Sequence, residues 1–293
     1  MTAAGGNQHL EEARASYDAG DFRRARELAR SGLAERPDDP ALLRIAGRAG
    51  IELGLDDAAD ELAQLTKLEP EDSDSWQDLA AAFVNAGRLD EAVDALRTTI
   101  RLRPDDRAAL VDLGHTSYAL GRPEEAIDAL RQAAEQEPPN GSALRGLVQI
   151  YRREGRLDEA HETATQLAQA EPDDVLAQLD VAELGLELGR LDDAEAAFAR
   201  LRTVDDEPEH EVYAFHGLIE TELRRERWRR ALDLAVDATR VDRLGRTTDV
   251  LALIVAQVFG AGDRPAPTLA SVEAALAASR AEHRRIHEDA LVF

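Results

Sequence analysis

Six glycines, Gly20, Gly54, Gly87, Gly121, Gly155 and Gly189, follow one another at intervals of 33 or 34 residues. Pro37, Pro70, Pro104, Pro138 and Pro172 keep the same interval. So do Ala25, Ala58, Ala92, Ala126, Ala160 and Ala194, with Ala231 following at 37. Three residue types in register at one period mean that one supersecondary unit is repeated. Each copy then buries its apolar face against the next, so the chain stacks rather than closing around a single core.

The clearest unit runs from Ser73 to Asp106. Trp76, Leu79, Ala80 and Phe83 fall on one face of a first helix. Gly87 ends that helix in the left-handed conformation, which glycine adopts without a Cβ penalty. Asp90 and Glu91 occupy the first turn of a second helix, where carboxylates complement the positive end of the dipole. Ala92, Leu96, Ile100 and Leu102 carry the apolar face on to Pro104, which closes the unit. Small residues at Ala80 and Ala92 let the two helices approach closely, where a larger side chain would overpack the contact.

The same phrase returns as GRLDEA from Gly87, GRPEEA from Gly121, GRLDEA from Gly155 and GRLDDA from Gly189. GDFRRA from Gly20 is a looser version, and GLDDA from Gly54 is one residue shorter. With Trp76 to Pro104 matching W-x2-L-G-x2-Y…A-x3-F…P, the chain resembles the tetratricopeptide repeat (TPR) family. The resemblance implies an all-α, right-handed α-solenoid of about seven helix-turn-helix repeats. They fall at 6–39, 40–72, 73–106, 107–140, 141–174, 175–208 and 212–245, with 246–293 as a C-terminal helix pair or cap. Repeats one and two depart from the pattern, with His9 where a large apolar residue is expected and Gly47 and Gly50 thinning the first helix. Repeat seven keeps Trp228 and Ala231 but has Glu226 where the turn glycine belongs. Beyond it, Thr247–Phe259 reads as one more first helix, residues 260–267 as a loop, and 269–290 as an end helix. The apolar tail Leu291, Val292 and Phe293 is expected to tuck onto the last repeat, the alternative being a handle for a partner.

Composition narrows the function classes. There is no cysteine, hence no disulfide, thiol nucleophile or cysteine metal site. The N-terminus lacks the cationic start and apolar stretch of a secretory signal, and Val250–Phe259 is too short to span a bilayer. A cytoplasmic protein is expected, with no membrane insertion. The net charge is −24, and Lys67 is the one lysine among 35 basic residues. Such a surface resembles proteins of salt-loving archaea, in which concentrated salt screens self-repulsion; codon bias in a GC-rich bacterium is the alternative. The acid coat is uneven: residues 224–293 hold 12 arginines against 10 acids, and residues 1–223 hold 23 basic residues against 49 acids. Arg224, Arg225, Arg227, Arg229 and Arg230 surround Trp228, and Arg280, Arg284 and Arg285 follow in the last helix. They read either as a solvated face paired with Glu226, Asp233 and Asp237, or as a contact surface for an acidic partner.

Catalytic patterns are sparse. His283 and His287 have a metal-ligand spacing without an evident third ligand, and Gly260–Gly262 follows a helix rather than the strand a phosphate loop needs. The paired acids recur in nearly every unit, which marks them as helix-start chemistry. No catalytic set, metal or cofactor is expected. In TPR proteins the first helices of successive repeats line a concave surface that holds an extended peptide or a partner helix. Carried onto this chain, that surface presents Arg44, Arg48, Asn85, His115, Tyr118, Arg145, Gln149, Arg152 and Arg153. Repeats six and seven change character to Leu179, Glu183, Leu186, Glu187, Tyr213, His216 and Glu220. The family's clamp for chaperone tails needs lysines and asparagines that are missing here. The resemblance therefore implies a non-enzymatic scaffold for a peptide or protein, and the basic residues of the groove suggest an acidic ligand. The rival is a nucleic-acid-associated adaptor using the arginine-rich C-terminal quarter, opposed by the charge of −26 over residues 1–223.

Overall fold

The computed structural model describes residues 3–136, 139–204, 208–242 and 247–259, with 272, 274 and 276 beyond them. Among these residues all regular structure is helical. The chain divides into two compact units, 1–150 and 151–293. The first contains α1 (Ala3–Asp18), α2 (Phe22–Glu35), α3 (Pro40–Glu52), α4 (Ala58–Leu68), α5 (Ser73–Asn85), α6 (Leu89–Leu102), α7 (Arg107–Ala119), α8 (Pro123–Ala134) and most of α9 (Gly141–Arg153). The second contains α10 (Leu157–Ala170), α11 (Val175–Glu187), α12 (Leu191–Val204), α13 (Pro208–Arg224), α14 (Trp228–Val241) and α15 (Thr247–Phe259). In the first unit each helix from α1 to α8 packs on the next, and α3 also touches α1 and α5. In the second the same serial packing joins α10 to α15. This is the all-α repeat of the solenoid class that the spacing predicts.

The turns follow from the glycines. All six sit at positive φ, between 65° at Gly54 and 77° at Gly20. At the α5–α6 turn the Arg88 N–H donates to the Phe83 carbonyl at 2.8 Å and the Gly87 N–H to Val84 at 3.0 Å. That pair of bonds satisfies two carbonyls the helix end would leave open. The α13–α14 turn makes the same two bonds, with Glu226 held at φ 60° in the glycine's place. Past the prolines, aspartates start the first helices. Asp39 accepts from the N–H groups of Ala41 and Leu42, Asp106 from Ala109, and Asp174 from Leu176 and Ala177.

The alanine series lies at the closest helix contacts, and every member from Ala25 to Ala231 has no exposed surface. Gly47 and Gly50, which the sequence suggests merely thin α3, are close-packing positions. A Cβ on Gly47 would stand 2.4 Å from Leu62 Cγ, and one on Gly50 would stand 2.7 Å from Ala58 Cβ. Gly114 is used in the same way, 2.5 Å from Leu130 Cγ. The leucine of the second helix fills the space that the first helix leaves empty.

In the second unit Ile219, Leu223, Ala231, Ala235, Val250, Ile254, Val272 and Leu276 form one buried cluster. Pro138, the 260–267 loop, His283, His287, Arg280, Arg284, Arg285 and the Leu291–Phe293 tail lie outside the described residues.

Candidate functional site

The first helices of the first unit carry five of the expected groove residues. Arg44 and Arg48 stand on α3, Asn85 ends α5, and His115 and Tyr118 stand on α7. Arg145 and Gln149 belong to the part of α9 in this unit, and Arg152 and Arg153 to its continuation in the second.

Arg44 and Arg48 share a face, and both are engaged within the chain. Arg48 Nε donates to Asp78 Oδ2 at 2.6 Å, and Arg44 Nη1 lies 3.9 Å from the same oxygen. Arg44 Nη2 donates to Asp72 at 2.6 Å, to Glu69 at 2.7 Å and to the Ser75 hydroxyl at 3.0 Å. Burial alone would raise the Asp72 pKa, but hydrogen bonds from Ser75 and Arg44 outweigh it and hold the carboxyl below its ordinary value. At Asp78 burial wins over both arginines and raises the pKa. Asn85 Nδ2 donates to the Ile51 carbonyl at 3.1 Å, tying the end of α5 to the end of α3. His115 is exposed and rests against α9, where a Cβ on Gly146 would stand 3.2 Å from its Cε1.

In the second unit Arg152 donates to Asp180 and to Glu183, and Glu183 also accepts from the Tyr213 hydroxyl. His216 and Glu220 do not form an open surface. They are 1% and 2% exposed, with His216 Nε2 3.0 Å from Thr247 Oγ1 and Glu220 2.6 Å from Arg224 Nη2. Four of the five arginines around Trp228, all but Arg229, also have internal partners among the described residues, though not the ones that sequence proximity suggests. Arg225 pairs with Asp192, Glu195 and Glu222, and Arg230 lies 3.6 Å from Glu195 and 3.7 Å from Glu222. Glu222 is buried, so these cations balance an acid inside the fold.

The arginine that follows four of the six turn glycines has a role that the spacing alone did not reveal. Arg122 and Arg190 reach back to Asp90 and Asp158 of the preceding repeat, each at 2.6 Å. Arg88 and Arg156 instead stack 4.4 Å over Phe83 and 4.7 Å over Tyr151. The acids assigned to helix starts thus also join neighbouring repeats. A column of mixed residues was missed as well: Tyr17, Ile51, Val84 and Tyr118 recur at the repeat interval on α1, α3, α5 and α7. Val84 is 41% exposed, and the other three are half-buried. The signal was legible as a fourth series in register, hidden by its change of residue type.

Comparison with known proteins bears on these stacked pairs. Two tetratricopeptide repeat models match in overlapping stretches, one at 10–65, 54–107 and 77–141, the other at 117–174 and 151–219. The chain belongs to the tetratricopeptide repeat family. Among solved structures, MamA is 22% identical with a TM-score of 0.56, over 58% of this chain and 94% of that one. A TPR protein from Parabacteroides merdae ATCC 43184 is 17% identical with a TM-score of 0.56, over 86% of this chain and 100% of that one. YrrB, described as a TPR protein with an unusual peptide-binding site, is 18% identical with a TM-score of 0.51, over 64% and 96%. These likenesses show the fold. No curated protein matches by sequence. TPR proteins are in general protein-interaction scaffolds, and no described helix is long and apolar enough to cross a membrane.

Proposed function

We propose that this TPR chain is a non-enzymatic cytoplasmic adaptor that holds a peptide or partner protein on its first-helix face. Arg44, Arg48, Asn85, His115, Tyr118, Arg145, Gln149, Arg152 and Arg153 are the proposed contact residues. The observation that carries the reading is Val84, 41% exposed at the end of α5 and, of the five large apolar side chains exposed among the described residues, the one that lies on α1, α3, α5 or α7. Backbone and side chains of an extended segment find hydrogen-bonding groups and apolar surface side by side there. The peptide-binding site described for YrrB supports the same use of the fold. The ligand's charge is decided by what the arginines already hold, not by their number.

Co-purification of the full chain from its native host in high salt tests this reading. A stoichiometric protein partner is expected with the unaltered chain and is expected to be lost with Val84→Arg. Repeated recovery of the unaltered chain alone would contradict it.

A further inference from the structure

On the basis of that reading, we infer that the face formed by α1, α3, α5 and α7 takes a peptide bearing apolar side chains together with lysine or arginine, rather than an acidic peptide. The apolar part is read from the column Tyr17, Ile51, Val84 and Tyr118. Asn85 brings its own end of α5 against Ile51, so Ile51 and Val84 stand on adjoining helix ends. Glu52 follows Ile51 at the end of α3 and so stands beside the column; the Tyr17 hydroxyl, its pKa raised by burial and by Glu52, also faces Arg48 and Asp78.

The basic part is read from charge that the face leaves uncompensated. Arg44 and Arg48 contact three carboxylates, Glu69, Asp72 and Asp78, so their positive charge is spent inside the chain. Arg107 of α7 donates to Gln136 at 2.7 Å, away from this set. Glu52 and Asp112 have no ion-pair partner among the described residues; both side chains reach solvent, and at Asp112 partial burial raises the pKa while the neighbouring His115 lowers it. Glu52 ends α3, where the negative end of the helix dipole opposes a carboxylate. Asp112 stands one turn before His115 on α7. An acidic ligand would find Arg44 already held by Glu69 and Asp72 and only the Nη groups of Arg48 without a hydrogen-bond partner among the described residues, and it would still meet Glu52 and Asp112. A lysine or arginine beside an apolar residue needs no rearrangement, and it meets Glu52 beside Ile51 and Asp112 on α7.

Selection of random 12-residue peptides displayed on phage against the full chain tests this. Synthetic copies of the enriched peptides are then titrated by fluorescence anisotropy. Enriched sequences are expected to combine apolar residues with lysine or arginine. Their affinity is expected to fall about two- to fivefold with Glu52→Gln and with Asp112→Asn, and at least as far with Val84→Asp. Asp60→Asn and Asp128→Asn, on the exposed sides of α4 and α8, control for attraction to the net charge of −24 and are expected to leave affinity unchanged. Equal losses in the control variants would overturn the inference. Enrichment of acidic peptides that lose affinity with Val84→Asp would also overturn it while leaving the proposed function standing. Failure to enrich any peptide would remove both.

Discussion

Glu226 occupies a backbone position that the other turns give to glycine, and replacing it isolates what that backbone costs. Its φ of 60° lies beside the 65° to 77° of the six glycines, and its turn makes the same two closing hydrogen bonds. A left-handed conformation costs a non-glycine residue about 1–2 kcal/mol. Glycine returns about 0.5–1 kcal/mol of that through the extra freedom of its unfolded chain. The Glu226 side chain is exposed and makes no hydrogen bond or ion pair among the described residues, so Glu226→Gly is expected to stabilise the turn by about 0.5–1 kcal/mol. The Arg227 amide, which donates to the Glu222 carbonyl at 2.8 Å, reports this locally. Its protection against hydrogen exchange should rise about two- to fivefold. Gly87→Ala is the mirror experiment, because a Cβ there would meet nothing within 4 Å and only backbone strain is added. Loss of protection at Arg88 with Gly87→Ala, but no gain at Arg227 with Glu226→Gly, would refute the assignment of strain to Glu226.

The contact between α2 and α4 contains a buried ion pair, with the Arg26 side chain 7% and the Glu61 side chain 10% exposed. Arg26→Ala should cost about 3 kcal/mol in urea unfolding, the low end for a broken buried pair because Arg30 still holds Glu61; Arg26→Met with Glu61→Leu should recover most of it. Asp57 has a lowered pKa, chiefly through the hydrogen bond from Arg26. A lowered carboxylate pKa supplies stability that is present above the unfolded value, about 4, and lost as pH falls through the folded value. Acid titration below pH 4 should therefore loosen α2 from α4 in the unaltered chain and show less dependence in Asp57→Asn, while equal slopes would exclude Asp57. With a charge of −24, the melting temperature should rise between dilute buffer and molar salt, with residues 73–206 loosening first. Pairs such as Arg122–Asp90 weaken under the same screening and limit the rise; a flat melting curve would show that net repulsion does not govern stability.

The parts of the fold legible in the sequence are those that backbone geometry or volume restricts to one residue type. Positive φ selects glycine at Gly87, and close helix approach selects alanine at Ala92, so both recur visibly. The use of Gly47 was not legible, because it depends on Leu62 from another helix filling the space. Arginine partners were hidden for a related reason. Arg225 pairs not with Asp233 or Asp237 but with Glu222 one turn back and with Asp192 and Glu195 across the fold, a choice that a long side chain makes only in three dimensions. The candidate face was legible as a set of helix positions: Arg44 and Arg48 do share a side of α3. That their charge is spent on Asp72 and Asp78 was not legible. Nor was the burial of His216 and Glu220, which depends on the packing around α13 rather than on its own periodicity.

The central claim is that a protein ligand seats on the first helices. A photo-cross-linking phenylalanine derivative at Val84, compared with the same group at the exposed Asp128 of α8, tests it most directly in the full chain within its native host. Illumination should produce a discrete adduct with a second protein from position 84 and none from position 128. An adduct from position 128, with position 84 unreacted, would place the binding surface on the second helices and contradict the account.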